Sequence, residues 1–191
     1  MIYLVVISVL FIVVILSALW ITIPALFGPP SVPTRMNRIR KALRLANLQP
    51  GEIVYDLGAG DGRVLLVAAN EFNARAVGIE VGPVQCVFIA MRALASGNGD
   101  SIRVRWENYF KASLKDADVV FIYATSKETG RLSNHLKEQM KPDSRLVSIS
   151  ADFPEWEPAN IDELELVFLY VMPPVIGSPA TYLMKKAGDS G

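Results

Sequence analysis

The residues in this chain best suited to chemistry are three carboxylates, Asp56, Asp61 and Glu80, set around Gly58, Gly60 and Gly62. The run Tyr55-Asp56-Leu57-Gly58-Ala59-Gly60-Asp61-Gly62-Arg63 closes a β-prone apolar stretch and opens one with helical spacing. Glycines at a strand–loop–helix junction let the backbone turn tightly and approach a ligand closely. In an open α/β sheet, that junction is where ligands bind. Glu80 ends the next β-prone run, 18 residues after Gly62, where a carboxylate reaches a ribose diol.

Two nucleoside ligands fit such a loop. A dinucleotide site wants G-x-G-x-x-G, with the pyrophosphate on the helix N-terminus. Counting from Gly58, the sixth position is Arg63, and Asp61 at the helix start opposes a phosphate. S-adenosylmethionine has no phosphate and carries a cationic sulfonium and an ammonium, so acids at the loop suit it. The residues favour S-adenosylmethionine over a nicotinamide. A loop that only turns the chain is the plain alternative.

The elements that must position these residues alternate. Strands are expected at 52–57, 75–80, 102–106, 118–123 and 145–150, and helices at 63–72, 83–96 and 127–140. Thr34 is expected to cap a helix bearing Met36, Ile39, Leu43 and Ala46. This order predicts an α/β, doubly wound, Rossmann-like parallel sheet. Two late strands, 163–171 and 181–184, have no helix between them and are expected to pair antiparallel at one edge.

Charge divides the chain. Residues 1–34 carry none, so all 19 basic and 19 acidic residues lie in the remainder, at an ordinary globular density. The 26-residue uncharged run from Ile2 to Phe27 exceeds the roughly 20 residues a membrane span needs. Ser8, Ser17 and Thr22 are able to bond back to helix carbonyls, and Pro24 and Gly28-Pro29-Pro30 should kink or end the helix. A cleaved signal peptide fits less well, because the run is long and no charge precedes it. Arg35, Arg38, Arg40, Lys41 and Arg44 follow the span, which places the domain on the cytoplasmic side. That basic collar either touches anionic lipid headgroups or is a solvated helix face. The expected organisation is a transmembrane anchor at 1–27, a linker at 28–34, the catalytic domain at 35–187 and a tail at 188–191.

One cysteine, Cys86, and one histidine, His135, exclude a Cys/His zinc cluster and a disulfide framework; both read as structural, and no metal is expected. A net charge of zero argues against a nucleic-acid partner.

With the loop, the acids and Glu80 in place, the chain resembles the class I S-adenosylmethionine-dependent methyltransferases. More narrowly, it resembles the small archaeal protein-lysine methyltransferases and the ATP synthase c-subunit lysine methyltransferase family. The resemblance runs over about residues 32–171. It is carried by Val32-Pro33-Thr34, Val54 through Arg63, Ala76-Val77-Gly78-Ile79-Glu80, and Phe153-Pro154-Glu155-Trp156-Glu157-Pro158. Ala59 departs from the commoner D-L-G-[CS]-G, and no substrate signature is recognisable. The resemblance implies that Asp56, Gly58, Ala59, Gly60 and Asp61 line the methionine end and that Glu80 binds the ribose. It also implies that Asn108 and Tyr109 sit at the adenine and that Thr34 closes over the pocket.

Methyl transfer needs a neutral nucleophile held in line and shielded from water. Acceptor residues are expected at the ends of the fourth and fifth strands. N/D-P-P-Y, the motif of nucleobase amino-methyltransferases, is missing there. Tyr123 is expected to position an amine, and Trp156, between two prolines, to wall the tunnel. Asp152, Glu155, Glu157, Asp162, Glu163 and Glu165 have no basic residue between them and are expected to form an acidic rim that attracts a lysine. The expected function is therefore methyl transfer to lysine in a membrane-proximal protein. The alternatives are a small-molecule or lipid methyltransferase, or a non-catalytic cofactor-binding module.

Overall fold

The computed structural model describes residues 2–27 and 34–188. Residues 28–33 of the expected linker at 28–34 and residues 189–191 of the expected tail at 188–191 lie outside the described residues. The first helix, α1 (Ile2–Phe27), continues through Pro24. Ser8 and Ser17 donate to the carbonyls of Leu4 and Val13, as their place in an apolar helix requires. Its Ile2–Trp20 portion has a mean hydropathy of 3.1 and is long and apolar enough to cross a membrane.

Helix α2 (Met36–Leu45) precedes the repeating unit. Its N-cap is Arg35, not Thr34, and no side chain caps it. Then follow β1 (Ile53–Leu57), α3 (Arg63–Phe72), β2 (Arg75–Glu80), α4 (Pro83–Ala95), β3 (Ile102–Trp106), β4 (Val119–Tyr123), α5 (Ser126–Gln139) and β5 (Arg145–Ile149). Four shorter strands and a last helix complete the chain: β6 (Trp156–Glu157), β7 (Asn160–Asp162), β8 (Val167–Val171), β9 (Val175–Ile176) and α6 (Pro179–Gly188).

The main sheet has seven strands in the order β3-β2-β1-β4-β5-β8-β7. β1 to β5 are parallel, β8 runs antiparallel to β5, and β7 pairs antiparallel with β8. Side chains alternate across it. Val54, Ala76, Val119, Phe121 and Val147 face helices α2, α3 and α4, whereas Leu57, Val120, Ile122 and Leu146 pack with Leu132 and Leu136 of α5. The sheet is thus covered on both faces, which explains the nearly continuous apolar run of β4.

The C-terminal part corrects the sequence reading. Residues 181–184 belong to helix α6, not to a strand. Pro179 opens that helix, and the Ser178 hydroxyl accepts the N–H of Thr181, a local start signal that outweighs the β-prone Thr-Tyr-Leu. The edge hairpin is formed by β7 and β8. Its turn runs through Glu163–Leu166, where Asp162 Oδ1 accepts the N–H of Glu165 and Leu166 has φ +50°.

The basic collar is largely turned onto the domain. Arg38 donates to the Glu165 carbonyl at 2.7 Å, Arg40 forks onto Glu71, and Lys41 pairs with Glu165 at 2.9 Å.

Candidate active site

β1 ends at Leu57, flanked by Ile79 of β2 and Ile122 of β4. Glu80 and Tyr123 are the next and last residues of β2 and β4. Gly58, Gly60 and Gly62 have φ of +90°, +55° and +76°, the left-handed region that glycine adopts freely. The N–H groups of Gly58 and Ala59 both donate to the Ile79 carbonyl, at 2.9 and 3.1 Å. Glu80 completes the tie: its Oε2 accepts the N–H of Gly60 and its Oε1 that of Gly82, each at 2.8 Å.

Asp56 is buried, and among the described residues no cation pairs with it. Burial first, then the negative charges of Glu80 and Asp61, push its carboxyl up to about 8. A buried carboxylate facing other acids fits a ligand that brings a positive charge. Asp61 behaves differently. Burial raises it, but hydrogen bonds from Arg63 and the charges of Arg63 and Arg92 outweigh that and hold its carboxyl below the usual range. Arg63 forks onto it, with the closest approach at 2.7 Å, and Arg92 stands 3.5 Å away. Asp61 therefore pins the start of α3 between two arginines rather than offering an unpaired charge. Arg63 also donates to the Thr34 carbonyl at 2.7 Å, which brings buried Thr34 to the loop by its backbone.

On the other side of β2, Asn108 Oδ1 accepts the N–H of Phe110 at 3.0 Å and starts a single 3-10 turn, Tyr109–Lys111. Tyr109 donates to Glu128 Oε1 at 2.8 Å, and burial with this carboxylate raises its phenol well above the ordinary value. Glu128 also accepts the N–H and hydroxyl of Thr125, closing a capping box at the start of α5. Sequence reasoning does not single out Glu128 for the site. The spacing Thr125-x-x-Glu128 is the signal that marks it.

The acceptor side is corrected in two respects. Trp156 is only 1% exposed and stacks on Phe153 at 4.8 Å, with Tyr170 edge-on at 5.7 Å. It is a core residue, packed in one cluster with Phe153 and Tyr170, and not an open wall. The acidic rim is also largely neutralised. Lys41 serves Asp162 and Glu165, Lys185 serves Glu157, and Lys186 stands near Glu163. Tyr123, by contrast, is 38% exposed at the end of β4, with the Arg38 guanidinium 5.7 Å above its ring. Arg38 also donates to Ser150 Oγ at 2.9 Å, so the ends of β4 and β5 and the β7–β8 turn meet at one cation. His135 of α5 bonds through Nε2 to the carbonyl of Ala112, just after the Tyr109–Lys111 turn, and so ties α5 to that turn. Among the described residues no group of three or more His, Cys, Asp or Glu could hold a metal ion.

This sheet order, with the glycine loop at its centre and acids at the ends of β1 and β2, defines an S-adenosylmethionine-dependent methyltransferase. A family model described as the ANTKMT methyltransferase domain matches residues 56–160, and the chain belongs to that family. It is 30% identical over 150 residues to a protein-lysine N-methyltransferase of Saccharolobus islandicus, covering 75% of this chain and 93% of that protein. It is 28% identical to the mouse adenine nucleotide translocase lysine N-methyltransferase, over 73% of this chain and 60% of that one. Similarity to the Xenopus laevis ATP synthase c-subunit lysine N-methyltransferase is also 28%, over 69% of this chain and 58% of that relative's length. Among solved structures, a Salinibacter ruber RNA methyltransferase in complex with S-adenosyl-L-homocysteine superposes with a TM-score of 0.73. It is 32% identical and covers 77% of this chain and 97% of that one.

Proposed function

We propose that this chain is a membrane-anchored protein-lysine methyltransferase. One observation carries the acceptor class: the archaeal relative named for protein lysine is matched over nearly its whole length. The animal relatives, named for c-subunit and translocase lysines, support it, although the chain spans only 58–60% of their length. The proposed units are an anchor at 1–27, a linker at 28–34, a catalytic domain at 35–187 and a tail at 188–191. The uncharged α1 and the basic residues from Arg35 to Arg44 support a cytoplasmic catalytic domain.

S-adenosylmethionine, when bound, supplies an electrophilic methyl group on a sulfonium. Asp56 offers its carboxylate to the cationic methionine end, where Gly58, Ala59, Gly60 and Asp61 shape the backbone. Glu80 keeps lone pairs for a ribose beyond its two backbone bonds. Asn108 and Tyr109 border the adenine, and Thr34 closes over the loop. Tyr123 orients the incoming amine at the strand ends. A lysine must arrive neutral, and desolvation at this mouth lowers its pKa without a dedicated base.

The Salinibacter relative, named an RNA methyltransferase, favours a second reading in which the acceptor is RNA. The charge balance opposes it, since residues 45–191 carry 14 basic against 19 acidic groups. Incubating membranes and RNA with the enzyme and methyl-labelled S-adenosylmethionine tests the proposal. Label on lysine of a membrane-proximal protein is expected. Label in RNA, in lipid, or in nothing while cofactor binds would overturn it.

A further inference from the structure

Helix α4 presents an uncovered apolar face beside the end of α1. Val87, Met91 and Leu94 follow at spacings of four and three, so they share one side of the helix, and they are 60%, 57% and 73% exposed. The only charged residue of α4, Arg92, is turned toward the loop, where it meets the Asp61 carbonyl and carboxylate. No free charge therefore interrupts the exposed side. On β3, Ile102 and Val104 pack on the α4 side of the sheet, and by alternation Trp106 shares that side. Trp106 is 71% exposed, and its Nε1 donates to the Val81 carbonyl at 2.8 Å, just before α4 begins.

This face is continuous with α1. Gln85 Nε2 donates to the Trp20 carbonyl at 2.8 Å, and the Trp20 and Phe88 rings meet edge to face at 5.4 Å. Leu16 and Trp20 with Val84, Val87, Phe88 and Met91 line an apolar groove of about 650 Å³ between the two helices. Leu16 and Trp20 belong to the uncharged apolar stretch of α1, so the groove is continuous with the surface that a membrane-spanning α1 turns to acyl chains. Tryptophan rings favour the membrane–water boundary, which suits both Trp20 and the exposed Trp106.

We propose that the exposed face of α4, together with Trp106, lies in the bilayer interface, so that the domain rests on the membrane at a fixed orientation rather than swinging on its linker. The occupant is lipid: acyl chains fill the α1–α4 groove and the headgroup boundary meets Trp106. The inference rests on the anchor reading above and adds to it a second attachment surface. Because α4 follows directly on Glu80, the docked face holds the cofactor loop close to the membrane plane, where a lysine at the membrane surface reaches Tyr123.

The test uses the full chain carrying Trp20→Phe, which keeps the ring against Phe88. It is reconstituted in vesicles of phosphatidylcholine and phosphatidylglycerol, with and without phosphatidylcholine brominated near the headgroup end of its acyl chains. Two tryptophans then remain, Trp106 and the core residue Trp156. Docking predicts that bromine removes the Trp106 share of the emission and leaves the Trp156 share. Adding Trp106→Phe should abolish the quenchable share. Protein that pellets with vesicles but keeps its Trp106 emission overturns docking and leaves the anchor standing. Protein that does not pellet with vesicles overturns both. Unquenched Trp106 with cross-linking between chains through Leu94→Cys overturns the lipid occupant in favour of a second copy.

Discussion

The Glu80 carboxylate accepts the backbone N–H of Gly60 at 2.8 Å, so the side chain proposed for the ribose also fastens the cofactor loop. Its second oxygen holds Gly82, at the entry to α4. Glu80→Ala removes both acceptors and should weaken cofactor affinity about 10- to 150-fold. It should also lower Tm by about 3–12 °C, since bonds to a charged group contribute roughly 1.5–3 kcal/mol. Glu80→Gln keeps one good acceptor and should fall between. Calorimetric titration and thermal unfolding check both; unchanged affinity in the Ala variant removes the ribose role.

Asp56 predicts a pH dependence of unusual sign. Its carboxyl is pushed up to about 8 in the fold, whereas an unfolded chain holds it near 3.9. Below that lower value both states are protonated and the group contributes nothing differential. As pH rises from about 4 to 8 the unfolded state ionises first, so stability falls across this window and levels off above it. Asp56→Asn should flatten that slope, as denaturant unfolding at several pH values will show. A cationic ligand draws the carboxyl back to its ionised form. Cofactor binding at pH 7 should therefore release about one proton, read from calorimetry in buffers of different ionisation enthalpy. No proton release would separate Asp56 from the ligand's charge.

Gly78 sits where β2 meets the loop. A Cβ there would lie 2.8 Å from the Ala59 Cβ and 2.7 Å from Leu65 Cδ1. Gly78→Ala should cost about 1–3 kcal/mol by overpacking and should weaken cofactor binding, because Ala59 belongs to the loop. Adding Ala59→Gly removes one of the two collisions, and the double variant should recover part of both losses.

The parts of the fold legible in the sequence are those set by neighbours in the chain. Glycines and periodicity mark the loop and α3 at 63–72, and alternation marks 75–80 and 102–106. The rest depends on distant residues. Glu163 to Leu166 alternates like a strand yet forms a hairpin turn, because β8 starts pairing with β5 only at Val167. The acidic residues after β5 lack basic neighbours in sequence, but their lysines come from α2 and α6. Helix α6 carries a start signal in Ser178-Pro179, yet the β-prone Thr-Tyr-Leu behind it reads as a strand when no partner strand is known. Of the site, the loop and its acids are legible, and the Glu128 bridge between Tyr109 and Thr125 is not.

Trp156 illustrates the same limit and yields its own prediction. Two flanking prolines suggest a rigid aromatic wall, yet Phe153 and Tyr170 pack on the ring and bury it. Trp156→Ala should destabilise the domain by about 3–5 kcal/mol, measured by urea unfolding. Any loss of activity in that variant should track the loss of folded protein.

Tyr123 is the better probe of the acceptor. It is the exposed aromatic at the end of β4, held under Arg38. Tyr123→Ala should lower turnover while leaving cofactor affinity unchanged, since none of the bonds holding the glycine loop pass through its side chain. The accompanying pH profile separates the two titrations of the site. At saturating cofactor the Asp56 proton is already released, so only the acceptor remains to titrate. A lysine with an ordinary pKa near 10.4 is almost wholly protonated at pH 7, and each unit of depression costs about 1.4 kcal/mol. Turnover per acceptor should therefore rise close to tenfold per pH unit above about 7 and level off at the depressed pKa of the bound amine. Below saturation, Asp56 ionisation should add a second rise between about pH 6 and 8, and Asp56→Asn should erase only that part. A flat profile at saturating cofactor would argue against an amine acceptor. An equal loss of cofactor affinity in Tyr123→Ala would move Tyr123 from the acceptor side to the cofactor side.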